Sequence, residues 1–102
     1  MDAERIIAYV DEVKPNAFSN EVKMRWLEEL ADTVRRDCPG PVLPEIWDKV
    51  CYSYVIARVD EANREWTDYA NSSQVFNDCY DEFKTWWCRE YVDKRRPEKW
   101  RD

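Results

Sequence analysis

The sequence predicts an all-α fold: a small four-helix domain with a long helical hairpin made by helices 3 and 4, and an extended C-terminal arm. Three observations carry this. The 102 residues include a single glycine, Gly40, which leaves a sheet fold without its usual turn residues. Apolar side chains recur at helical spacing through four segments, and only one stretch, residues 38–44, is dense in helix breakers. The length suits one core, divided here into a single helical domain, residues 1–93, and an arm, residues 94–102.

The first helix is expected to begin at Asp2, whose carboxylate can cap free amides, with Ile6, Ile7, Val10 and Val13 on one face. Pro15 stops it, because Lys14 before a proline is biased away from helical angles. Asn16 and Ser19 then supply a turn and the next cap. A second helix, residues 20–37, puts Val22, Trp26, Leu27, Leu30, Ala31 and Val34 on one stripe. Glu21, Lys23, Arg25, Glu28, Glu29, Asp32 and Arg35 read as its solvated face.

Three of the five prolines and Gly40 fall between Cys38 and Pro44, so no helix continues there. Val42 and Leu43 are expected to pack. From Pro44 onward Ile46, Trp47, Val50, Cys51, Tyr54, Val55, Arg58, Val59, Ala62 and Trp66 keep helical spacing. Carried on to Ala70, that helix would be roughly 40 Å long at about 1.5 Å per residue, suited to a wall or strut. Asn71, Ser72 and Ser73 read as its punctuation. A fourth helix, residues 74–93, then carries Phe76, Cys79, Tyr80, Phe83, Trp86, Trp87 and Tyr91, and so short a break favours an antiparallel hairpin over a kinked rod.

Chemistry is sparse. The absence of histidine removes the commonest general base and neutral metal ligand, so no enzyme, no cofactor and no metal site is expected. Asp78, Asp81 and Glu82 form the best acidic cluster, but acids near a helix start also favour the macrodipole. Cys38, Cys51, Cys79 and Cys88 lack the close pairs of zinc sites and read as buried free thiols. Cys79 and Cys88, nine residues apart, would lie on opposite faces of one helix. Asn71, Ser72 and Ser73 also match a glycosylation acceptor, but Met1 is followed by Asp2 and Glu4 rather than by a secretory leader, and no membrane span is present. A soluble chain, not exported by that route, is the expectation.

Net charge is −6, which argues against a protein whose main task is to grip phosphates. Residues 89–102 carry +2, from Arg89, Lys94, Arg95, Arg96, Lys99 and Arg101 against four acids, and residues 1–88 carry −8. Six tryptophans are more flat surface than a domain this small can hide, so some belong in an interface. The adjacent Trp86 and Trp87 cannot both point inward; one of them, with Trp100, is the candidate anchor.

Two stretches carry a resemblance. One is Asp11, Glu12, Val13, Lys14, Pro15, Asn16, Ala17, Phe18 and Ser19, then Glu21, Lys23, Arg25, Trp26, Leu27 and Leu30. The other runs from Asp60, Ala62, Asn63, Glu65 and Tyr69 through Asn71, Ser72, Phe76, Asn77, Tyr80, Phe83 and Trp86. Together they resemble the head-to-tail connector, or head-completion, proteins of long-tailed bacteriophages and prophages of Gram-positive bacteria. Arg64 departs from the pattern, which leads one to expect a glycine before the glutamate, and the basic extension after Tyr91 is longer than expected.

The resemblance implies a virion subunit that waits in the host cytoplasm and assembles at the head-tail junction. There it would form a homo-oligomeric, dodecameric ring beneath the portal protein and seat a tail-side connector or stopper protein. DNA would pass through the lumen without sequence-specific binding, and no membrane is involved. Trp87, Tyr91, Lys94, Arg95, Arg96 and Trp100 are the residues expected to meet the portal. Trp47, Tyr54, Trp66 and Tyr69 are expected to make lateral subunit contacts. An acidic body that repels phosphates suits a lumen in which DNA slides.

Three other readings are weaker. A small acidic phage-encoded inhibitor that imitates DNA and binds a host nuclease or polymerase would array carboxylates on one face, whereas both signs mix along the second helix. A regulatory DNA-binding domain would need a basic recognition helix, and none of the four is basic. Arg95 and Arg96 touching DNA phosphates is the rival use of the arm.

Overall fold

The computed structural model describes residues 3–40 and 44–92. They form four α-helices, α1 (Ala3–Val13), α2 (Asn20–Asp37), α3 (Pro44–Ala62) and α4 (Trp66–Trp87), and α4 runs on into a π-helical turn, Cys88–Val92. The expected cap at Asp2, the packing of Val42 and Leu43, and the arm from Lys94 to its end fall outside the described residues.

α3 is the central element, and α1, α2 and α4 all pack on it. Its apolar residues do not keep to one stripe, which is the pattern of a helix covered on several sides. Trp47, Val50, Cys51, Val55 and Val59 are all buried. α1 adds Ile6, Ile7 and Val10, and α2 adds Trp26, Leu27, Leu30 and Val34. Val13, expected on the inner face of α1, is instead 55% exposed, because it stands at the last residue of the helix, past the edge of the core.

α3 and α4 form an antiparallel hairpin in steady register. Asp60 meets Ser72, the ring of Tyr54 meets Phe76, and Trp47 meets Phe83. Each step back along α3 is matched by a step forward along α4. The hairpin gives the molecule an elongated form of 54 × 27 × 20 Å, and its radius of gyration of 15.6 Å exceeds the roughly 13 Å of a compact domain of this size.

The position of the hairpin turn corrects the sequence expectation. α3 stops at Ala62, not Ala70, and residues 71–73 lie inside α4. The Ser73 hydroxyl donates back to the Ala70 carbonyl and Ser72 turns its own towards Asp60, so residues that look like punctuation are absorbed by the helix. The real stop is built from backbone. Arg64 N–H donates to the Glu61 carbonyl and Glu65 N–H to the Asp60 carbonyl, the paired bonds of a Schellman motif. Arg64 therefore sits in the left-handed region at φ 58°, where glycine is the preferred residue. Exchanging Arg64→Gly is expected to stabilise the fold by about 0.5 kcal/mol, the relief of the left-handed backbone slightly exceeding glycine's extra unfolded-state freedom. Chemical denaturation of the two proteins checks this.

Candidate functional site

Three features stand outside ordinary packing: a polar junction where α1 meets the hairpin tip, an aromatic cluster at the opposite end, and apolar surface left uncovered on α1, α3 and α4.

The junction begins with a charge inside the core. Asp60 lies one residue beyond Val59 near the end of α3 and is only 2% exposed. A carboxylate buried there needs partners. Lys14, just past α1, places Nζ 2.7 Å from Asp60 Oδ1, and the Ser72 hydroxyl donates to Oδ2 at 2.7 Å. Glu65 and Asp68 approach the same ammonium at 3.4 and 3.5 Å. The Asp60 carboxylate beside it holds the Lys14 ammonium well above the usual lysine range, although burial opposes this.

The loop leading away from Lys14 is tied down in turn. Asn16 donates from Nδ2 to Asp11 Oδ1 and to the Lys14 carbonyl, both at 3.0 Å, and its Oδ1 accepts the Phe18 N–H. Ser19 then caps α2 by accepting from Val22 N–H. Lys23, expected on the solvated face, is 2% exposed, with Nζ 2.5 Å from Asp11 Oδ1. That partner, first among several causes, holds the Asp11 carboxyl below its ordinary range. The burial of Lys23 was legible: it stands three and four residues before Trp26 and Leu27, on the apolar stripe itself.

Carboxylate oxygens of Asp60, Glu65 and Asp68 lie within 4.8 Å of one another, a spacing that can hold a cation. Lys14 already supplies one at their focus. The cluster expected from the sequence is not the one the fold assembles: Asp78, Asp81 and Glu82 are all exposed, with Asp81 paired to Lys84 and Asp78 accepting from Gln74. The cysteines are all free, but the expectation of buried thiols holds fully only for Cys38 and Cys51; Cys79 is half-buried and Cys88 exposed. Burial pushes the Cys51 thiol up to about 12, which makes it a poor nucleophile.

At the far end, Trp86 and Trp87 are both half-buried and both pack on the core. Their rings meet Tyr91 at 6.1 and 5.9 Å. Trp87 Nε1 donates to the Pro39 carbonyl at 2.9 Å, and the Tyr91 ring faces Gly40, whose φ of 112° suits glycine. Trp87 and Tyr91, expected to meet the portal, thus clamp the loop after α2 in the isolated chain. Lys94, Arg95, Arg96 and Trp100 lie outside the described residues.

Of the four expected lateral residues, Trp47 is 5% exposed, a core residue packed against Phe83, so it is not available as surface in this chain. It faces inward because α3 is covered from several sides. Tyr54 is half-buried against Phe76. Tyr69 is also half-buried and donates its hydroxyl to Glu61, which raises its pKa. Trp66 is 60% exposed and touches Tyr69 edge-on.

Sequence reasoning did not single out a shallow groove of about 200 Å³ on the other side of α4, lined by Tyr9, Tyr52, Ile56 and Val75 with two serines. The Tyr9 and Tyr52 rings meet at 4.8 Å, tilted by 45°, and Tyr9 and Val75 are exposed. No spacing rule marks it, since its wall comes from three different helices. Comparisons with protein-family models, curated proteins and solved structures find no match to this chain.

Proposed function

We propose that the chain is a structural subunit of a bacteriophage head-tail junction. It would act as an adaptor that waits in the host cytoplasm and assembles as a dodecameric ring under the portal, extending the DNA channel and docking the next tail component. The observation that carries this reading is the combination of an elongated helical hairpin with large apolar side chains left outside its core, Tyr9, Trp66 and Val75, on more than one side. A stiff rod with uncovered apolar surface is suited to packing beside others in a wall.

The two stretches that carry the resemblance also work together. Lys14 of the first meets Asp60 and Glu65 of the second, while Asp11, Asn16 and Lys23 tie the first stretch together and Ser72 holds Asp60 within the second. Their shared role here is to hold α1 and α2 against the hairpin tip, which is what a rigid subunit requires.

The basic, aromatic arm is the part assigned to the portal. Removing residues 94–102 is expected to abolish binding to the portal protein encoded in the same genome and to leave the helical circular dichroism spectrum unchanged. Electron microscopy of the full chain mixed with that portal should show a ring continuing its channel. A truncated chain that still binds, or a full-length monomer that ignores the portal and binds a nuclease, would sink the proposal.

A further inference from the structure

The groove and Trp66 are related by geometry. Val75 follows Trp66 by nine residues on the same helix. Nine steps of about 100° make two and a half turns, so the two side chains leave α4 on opposite sides, offset by roughly 14 Å along its axis. Trp66 therefore cannot fill the groove of its own molecule. It can fill a neighbour's, and that neighbour's Trp66 then points onward to a third.

Charge supports the same pairing. Arg64, two residues before Trp66, holds a left-handed conformation that glycine would occupy more cheaply. Glu12 is exposed one helical turn beyond Tyr9, a spacing that puts the two on the same side of α1. Among the described residues neither Arg64 nor Glu12 has an ion-pair partner. A strained arginine beside a tryptophan that is 60% exposed makes sense as half of a contact, since Arg and Trp are enriched among binding hot spots.

We infer that copies of this chain join head to tail, with Trp66 of one copy seated between Tyr9, Tyr52, Ile56 and Val75 of the next and Arg64 facing that copy's Glu12. Knob and groove lie on different surfaces, so the contact is heterologous and continues around a ring instead of closing as a two-fold dimer. The inference rests on the ring reading and names its lateral joint.

Sedimentation velocity of the full chain over a concentration series up to about 1 mM tests it. Weight-average mass should rise with concentration in the natural protein. Trp66→Ala should weaken association about tenfold or more, and so should the groove variant Tyr9→Ala with Val75→Asn. Arg64→Gly should weaken it at low salt while stabilising the fold, which separates the joint from folding. The decisive arm mixes the Trp66 variant, which keeps its groove, with the groove variant, which keeps its knob: heterodimers should form and grow no further.

A natural protein that stays monomeric across the series overturns the inference. So does association unchanged in both variants, or a mixture that yields no heterodimer although each partner melts as a folded helical protein. Portal binding is measured separately. A chain that binds the portal but fails these tests loses only the joint, whereas one that passes them and ignores the portal loses the connector reading.

Discussion

Replacing Phe83 by alanine is expected to cost about 3–5 kcal/mol of stability, the usual range for deleting a buried phenylalanine ring. Phe83 is fully buried, with Trp47 at 5.5 Å, Trp86 at 5.8 Å and Tyr80 at 6.3 Å between ring centroids. It ties the far half of α4 to α3, and rigid rings on three sides have little freedom to collapse into the space it would leave. A domain of this size has a total stability on the order of 5–15 kcal/mol, so the loss is a large share of the whole. Urea denaturation should show a much lower midpoint with an unchanged slope. Val75→Ala on the same helix, largely exposed, should cost less than about 0.5 kcal/mol. A Phe83 variant as mild as that would mean α4 does not pack on α3 at this level.

Lys14→Met carries the second large effect, about 3 kcal/mol, because it strands the buried carboxylate of Asp60 with only the Ser72 hydroxyl as a hydrogen-bond donor. The double variant Lys14→Met with Asp60→Leu should recover most of that loss, since neither buried charge remains and the volumes are similar. The pH dependence separates charge from packing. In the natural protein the Lys14 pKa is raised, chiefly by Asp60, so its contribution is complete below the unfolded lysine value near about 10.4 and is lost as pH rises through the higher folded value. The deficit of Lys14→Met should therefore shrink as pH rises above about 10.4, where the natural protein loses the same contribution. Thermal melts of the three proteins across pH provide the check. A deficit that does not change with pH would assign the effect to lost packing of the lysine stem.

The adaptor reading makes rigidity at the junction and cover at the surface separate properties. Lys14 and Asp60 hold the subunit's shape, whereas Trp66 and the groove leave that shape unaltered and decide what lies beside it. Variants of the first kind should destabilise the chain; variants of the second should leave it folded and alone.

The residues themselves determined that the chain is all-helical, where α2 begins and ends, and that a hairpin follows the proline-rich connector. Those features rest on local chemistry: Ser19 capping α2, Pro15 and the prolines around Gly40 excluding helix, and apolar stripes at helical spacing. The tertiary structure alone decided where the hairpin turns, that Asp60 is buried, that Trp47 belongs to the core, and that four side chains of three helices line one groove. The turn at Arg64 has no proline or glycine to announce it, while Ser72 and Ser73 announce one that does not exist. Propensities differ by tenths of a kcal/mol per residue, and burying one large apolar side chain contributes about 1.5–3 kcal/mol. Where the two disagree, the helix ends at the point that lets Phe83 reach Trp47 and Ser72 reach Asp60.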